Sequence, residues 1–214
     1  GTWITLVALL LCLGALGLGA GSMGWQAPWA AWTDGAQAGD VAIVWQIRAP
    51  RTLGAALVGA LLGLAGALAQ GLFRNPLAEP YLLGSSAGAG LCMALMLTIG
   101  LPWAVAEGWW ARMGLTGAAF VGALGGVSLT LVLARGATHT LRLLLAGVVV
   151  GVVLGALTQL MMVWSGEAWR VMQAFMLGNT ALLGWDACAV LALALLVCLP
   201  AALVLARVLD ALSL

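Results

Sequence analysis

Arg48 and Arg51 stand three residues apart at the start of an apolar run, so a helix there would present both guanidinium groups on one side. Two such forks suit carboxylate or phosphate recognition. Phospholipid headgroups at a membrane interface are one such target. Other chemistry is thin. His139 is the single histidine, and no Cys or clustered carboxylate stands beside it at metal-ligand spacing. Cys12, Cys92, Cys188 and Cys198 lie inside apolar segments without CxxC spacing and read as small buried hydrophobes. The chain contains no Lys, hence no P-loop, and no Ser/His/Asp set suited to hydrolysis. The expectation is a protein that is not an enzyme and holds no cofactor or metal.

The elements that must position these residues follow from composition. Of 214 residues 64% are hydrophobic and 7% charged, with a mean hydropathy of +1.14. A soluble domain carries about 25% charged residues to keep its surface wet. Here lipid must be the solvent, and helices then satisfy the backbone internally. The alternation of an outer-membrane barrel is missing. The net charge of +1, with arginines scattered between apolar runs, offers no nucleic-acid surface.

A span needs about 20 apolar residues, and the pattern predicts six, near 3–21, 50–73, 82–101, 114–134, 141–164 and 186–206. The first reads as a span rather than a signal peptide, because no basic residue precedes it and five further runs follow. Trp25, Trp29, Trp32 and Trp45 suit a connection, 22–47, lying along the membrane interface. Small residues recur every fourth position at Ala55, Gly59, Gly63, Ala67 and Gly71, at Gly114, Ala118, Gly122 and Gly126, and at Gly147, Gly151 and Gly155. Such stripes let helix backbones approach closely and predict helices packed on one another. Orientation stays open. With the N-terminus inside, Arg74, Arg135, Arg142 and Arg207 face the cytoplasm and Arg48, Arg51, Arg112 and Arg170 face out, a tie by the positive-inside count.

The segment 48–90 carries the most local information. It reads Arg48-Ala49-Pro50-Arg51, a glycine-striped helix to Gln70, then Arg74-Asn75-Pro76-Leu77-Ala78-Glu79-Pro80, Tyr81-Leu82-Leu83-Gly84 and a small-residue run. Pro50 suits a first helical turn, Pro76 and Pro80 forbid continuous helix, and Asn75 suits capping. This pattern resembles the permease subunits of type II ATP-binding-cassette importers, the FecCD/BtuC-like family that carries iron-siderophores, haem and vitamin B12. Arg142 to Gly147 resembles the start of the family's fifth helix. Phe175-Met176-Leu177-Gly178 is similar to its WxxG stretch, with Phe175 and Asn179 replacing the usual Trp and Ser.

The resemblance implies an all-α polytopic membrane fold, here one transmembrane domain over 1–214 forming the N-terminal part of a ten-helix permease. Asp210 to Leu214 resembles residues just before the coupling helices, so four spans and the main ATPase contact are expected beyond the given sequence. It further implies a bacterial inner-membrane homodimer with separate ATPase chains and a periplasmic binding protein. Arg48 and Arg51 would dock that binding protein, and Thr140 with His139 would form a cytoplasmic gate. Thr158, Gln159 and Met162 would line the translocation path. Pro50, Gln70, Asn75, Pro76, Pro80, Gly84, Gly147 and Gly178 would be structural. For the gate, an ordinary solvated loop is the competing reading; for Gln159 and Gln70, it is hydrogen bonding that ties helices down. The expected cargo is a ferric siderophore, with haem or cobalamin as alternatives. An ion-coupled secondary transporter would need a mid-span ionisable residue and an internal repeat, and neither is evident. A subunit that only packs with other membrane proteins is the remaining competitor.

Overall fold

The computed structural model describes residues 2–19, 42–99, 109–135, 140–164, 166–178, 180 and 183–213. All regular structure among them is helical: α1 (Thr2–Gly19), a π-helical turn (Val44–Arg48) running into α2 (Ala49–Phe73), α3 (Ser85–Ile99), α4 (Trp109–Leu133), α5 (Thr140–Trp164), α6 (Gly166–Met176) and α7 (Trp185–Ser213). Among the described residues, four segments are long and apolar enough to cross a membrane: Val44–Phe73, Met113–Leu133, Thr140–Val163 and Trp185–Ala206. Ile4–Gly19 and Ser85–Ile99 are apolar but shorter. At 15 residues α3 is about 22 Å long, against a hydrocarbon core of about 30 Å. It starts three residues later than the apolar run because the chain makes a left-handed turn at Gly84 (φ 77°).

The second span begins earlier than Pro50. Helical backbone already runs from residue 42, and Val44–Arg48 widens into a π-helix. The reason is local. Pro50 has no N–H to give and its ring crowds the carbonyl one turn back. The preceding N–H, that of Ala49, reaches to the carbonyl of Val44, five residues back. Pro50 therefore follows a wide turn instead of opening a helix. Part of the expected interfacial connection, including Trp45, is thereby helical, while Trp25, Trp29 and Trp32 lie outside the described residues.

The helices form two units, Gly1–Ala65 with Asn179–Leu214, and Gly66–Gly178. In the second unit α3 packs on α4 and α5, and α6 lies against α3 and α5. One apolar cluster joins Phe73, Ala78, Ala134, Leu143 and Ala146; another joins Met93, Ala94, Met162 and Met172. The glycine stripe of α4 packs as expected. A Cβ on Gly122 would strike the carbonyl of Gly88, and one on Gly88 that of Gly122, so α3 and α4 touch backbone to backbone. The stripe of α2 does not pack: Ala55, Gly59, Gly63, Ala67 and Gly71 are all exposed. A stripe of small side chains permits close approach but does not place the partner in the same chain.

Candidate functional site

In the first unit the start of α2 is held by bonds from side chains to backbone carbonyls. Arg48 Nη1 donates to the carbonyl of Leu18 at 3.1 Å and to that of Gly19 at 3.4 Å. These are orphan carbonyls of the last turn of α1, where a cation also meets the negative end of the helix dipole. Arg48 is thus only 8% exposed. Cys188 Sγ donates to the carbonyl of Pro50 at 3.1 Å, just past the wide turn. Trp185 Nε1 donates to the carbonyl of Trp45 at 2.9 Å, and the two indole rings lie 6.2 Å apart. Arg48 and Arg51 therefore do not share one outward face. Arg48 is engaged within the chain, and Arg51 is half-buried on the first turn of α2.

In the second unit the motif residues build one turn. Helix α2 ends in a Schellman cap: Asn75 N–H donates to the carbonyl of Gln70 at 3.2 Å and Arg74 N–H to that of Gly71 at 3.4 Å. Arg74 takes φ 48°, a conformation costing a non-glycine residue about 1 kcal/mol. The Asn75 side-chain oxygen accepts from Leu77 N–H at 2.9 Å, and Pro76 and Pro80 hold the backbone out of the helix. The far end of the turn is fixed by Thr130, fully buried, whose hydroxyl donates to the carbonyl of Leu83 at 2.9 Å. Gly84 sits there with Val150 Cγ1 and Thr130 Oγ1 lying 3.1 and 3.5 Å from where a Cβ would be. A Cβ on Gly147 would strike the carbonyl of Leu82. Asn75, Pro76, Pro80, Gly84 and Gly147 are thereby brought together, tying the end of α2 to α3, α4 and α5. Gly178 (φ 73°) closes α6, with its N–H donating to Phe175 at 3.1 Å.

The three residues expected to line a path also meet. Thr158, Gln159 and Met162 line a pocket of about 290 Å³ together with Trp169, Met172, Gln173, Met176 and Leu177. The lining carries no charged side chain. Thr158 is buried with its hydroxyl donated to the carbonyl of Leu154 at 2.9 Å, while Gln159 is exposed. Half of this wall comes from α6, an 11-residue helix missing from the predicted spans. Its signal was legible: Trp169, Met172, Gln173 and Met176 repeat at helical spacing, with Arg170 off that face. Thr130 and the carbonyl partners of Arg48 left no comparable trace. Thr140 opens α5 and is exposed. His139, its expected partner in the gate, lies outside the described residues. No group of three or more His, Cys, Asp or Glu able to hold a metal occurs among the described residues.

The chain belongs to the FecCD transport family, whose pattern matches residues 5–214. It is a multi-pass protein of the bacterial inner membrane with an all-α fold. The vitamin B12 import system permease protein BtuC of Salmonella paratyphi A is 44% identical over 156 residues, covering 72% of this chain and 44% of the relative. The BtuC of Salmonella newport is 46% identical over 162 residues, with the same coverage. The chain thus spans less than half the length of these relatives. A solved inward-facing structure, of a protein assigned to the metal-chelate type of ABC transporter, matches with a TM-score of 0.77 and 26% identity. The match covers 99% of this chain and 62% of that one.

Proposed function

We propose that this protein is the membrane permease of a binding-protein-dependent ABC importer, and that its cargo is of the cobalamin class. The observation that carries the reading is the uncharged α5–α6 pocket, which gathers Thr158, Gln159 and Met162 with Trp169 and Gln173. Amide and hydroxyl groups among methionine and indole surfaces suit a bulky neutral molecule rich in amides, which must be guided without being held. The identity to permeases named for vitamin B12 favours this cargo over the ferric siderophore expected from the sequence. An iron chelate is the second reading, favoured by the solved relative of metal-chelate type.

In this mechanism two copies of the permease enclose the path and separate ATPase chains drive it. A periplasmic protein delivers cargo to the end bearing Arg48 and Arg51. Arg51 supplies the direct contact with acidic residues of that protein, and Arg48 holds the end of α1 beside it. Thr140 and His139 serve as the cytoplasmic gate. The test is uptake into liposomes by the intact permease with its ATPase and candidate binding proteins, using cyanocobalamin, a ferric hydroxamate and haem in parallel. ATP- and binding-protein-dependent uptake of cyanocobalamin alone is expected. Uptake of an iron complex instead would overturn the cargo, and uptake without ATP would overturn the class.

A further inference from the structure

Three arginines gather at one end of the second unit. Arg74, Arg135 and Arg142 are the chain neighbours of Phe73, Ala134 and Leu143, which belong to one buried apolar cluster, and all three arginines are exposed. Apolar side chains stand uncovered beside them: Leu77 is 84% exposed, Val132 75% and Leu141 70%, with Tyr81 at 46%. Cations next to bare hydrocarbon, with a tyrosine in the connecting turn, are what a bilayer demands where acyl chains give way to headgroups. An acidic surface of a water-soluble partner would leave Leu77, Val132 and Leu141 facing charge. Acyl chains would cover them.

The backbone supplies a second observation. Among the described residues, the non-glycine positions with positive φ are Arg74 (48°) and Arg135 (54°). Each follows the last turn of a helix, where glycine is the unstrained choice. Arg135 N–H donates to the carbonyl of Val132 at 3.0 Å, as Arg74 N–H does to Gly71 at 3.4 Å. Two helix ends thus carry guanidinium groups where the backbone favours no side chain. Guanidinium takes phosphate oxygens two at a time, which an ammonium does not.

We propose that Arg74, Arg135 and Arg142 form a collar that binds the phosphate of an anionic phospholipid. The collar operates whatever the cargo, and each arginine near an anionic surface is worth about a fivefold preference. The test uses the intact permease in mixed phosphatidylethanolamine–phosphatidylglycerol nanodiscs, with retained lipid counted by mass spectrometry. In Arg74→Gly/Arg135→Gly/Arg142→Gln, glycine relaxes both strained positions, so the helix ends persist while the charge is gone; circular dichroism and thermal unfolding check this. The variant is expected to lose phosphatidylglycerol enrichment, and Arg170→Gln, outside the collar, to keep it. Three outcomes would overturn the proposal. The folded triple variant retains lipid as wild type does, or Arg170→Gln loses the same preference, or inorganic phosphate displaces the lipid completely. Weakened binding of the ATPase chains in lipid-free detergent, with lipid enrichment unchanged, would reassign the collar to a protein partner.

Discussion

Arg48 shows how a side chain can be identified correctly as important while its bonds stay hidden. Its spacing from Arg51 is evident in the sequence, but its acceptors are backbone carbonyls 29 and 30 residues away, which have no side-chain signature. Replacing it with Ala strips the last turn of α1 of that cap. A hydrogen bond from a charged donor contributes about 1.5–3 kcal/mol. We expect Arg48→Ala to raise amide exchange at Leu18 and Gly19 and to lower stability by roughly that amount in SDS-induced unfolding. Charge reversal at Arg51 should instead weaken association with the proposed binding protein, read as a slower on-rate at low salt. Thr130 is the converse case, invisible in the sequence because one threonine among apolar residues has no reason to stand out. Thr130→Val should leave the buried Leu83 carbonyl unpaired, costing about 1–3 kcal/mol, whereas Thr130→Ser should retain most of the stability.

At the scale of elements, legibility followed length and hydropathy. The long apolar runs that became α4, α5 and α7 are plain from composition, with ends displaced by a few residues. Helix α6 was missed because 11 residues fall below the length of a span, although its amphipathic spacing is present. The wide turn before α2 was missed because Pro50 is equally compatible with opening a helix and with interrupting one. The glycine stripes were half informative: Gly122 and Gly126 are buried in α4, while Gly59 and Gly63 of α2 meet nothing. Two expectations belong here. Gly84→Ala combines a left-handed backbone with contact against Val150, and should cost about 2–4 kcal/mol in SDS-induced unfolding. Gly122→Leu should force α3 and α4 apart, observable as a loss of stability in SDS-induced unfolding that Gly59→Leu, on the unpacked stripe of α2, does not show.

For the whole molecule, membrane residence was readable from the charge deficit alone, and family membership from the segment 48–90. What composition could not supply was cargo, because the residues gathered at the α5–α6 pocket are neutral and individually commonplace. Membership of a transport family makes the energy source the decisive measurement. On the proposed function, removal of ATP from the reconstituted intact protein should abolish uptake, whereas collapsing proton and sodium gradients should leave the initial rate within about twofold, since the described spans hold no ionisable residue near their centres.

The wide turn ahead of α2 also has an angular consequence. Successive residues of a helix are rotated by about 100°, so one extra residue in a turn resets the direction of everything before it. Trp45, whose carbonyl accepts from Trp185, takes its heading from that offset. In an ordinary helix such an offset can slide along the chain and vanish at an end. Here Pro50 has no donor with which to restore the tighter pattern, so the offset is pinned. The start of α2 therefore carries a built-in rotation, which sets the direction in which residues 42–48 point relative to the helix that follows.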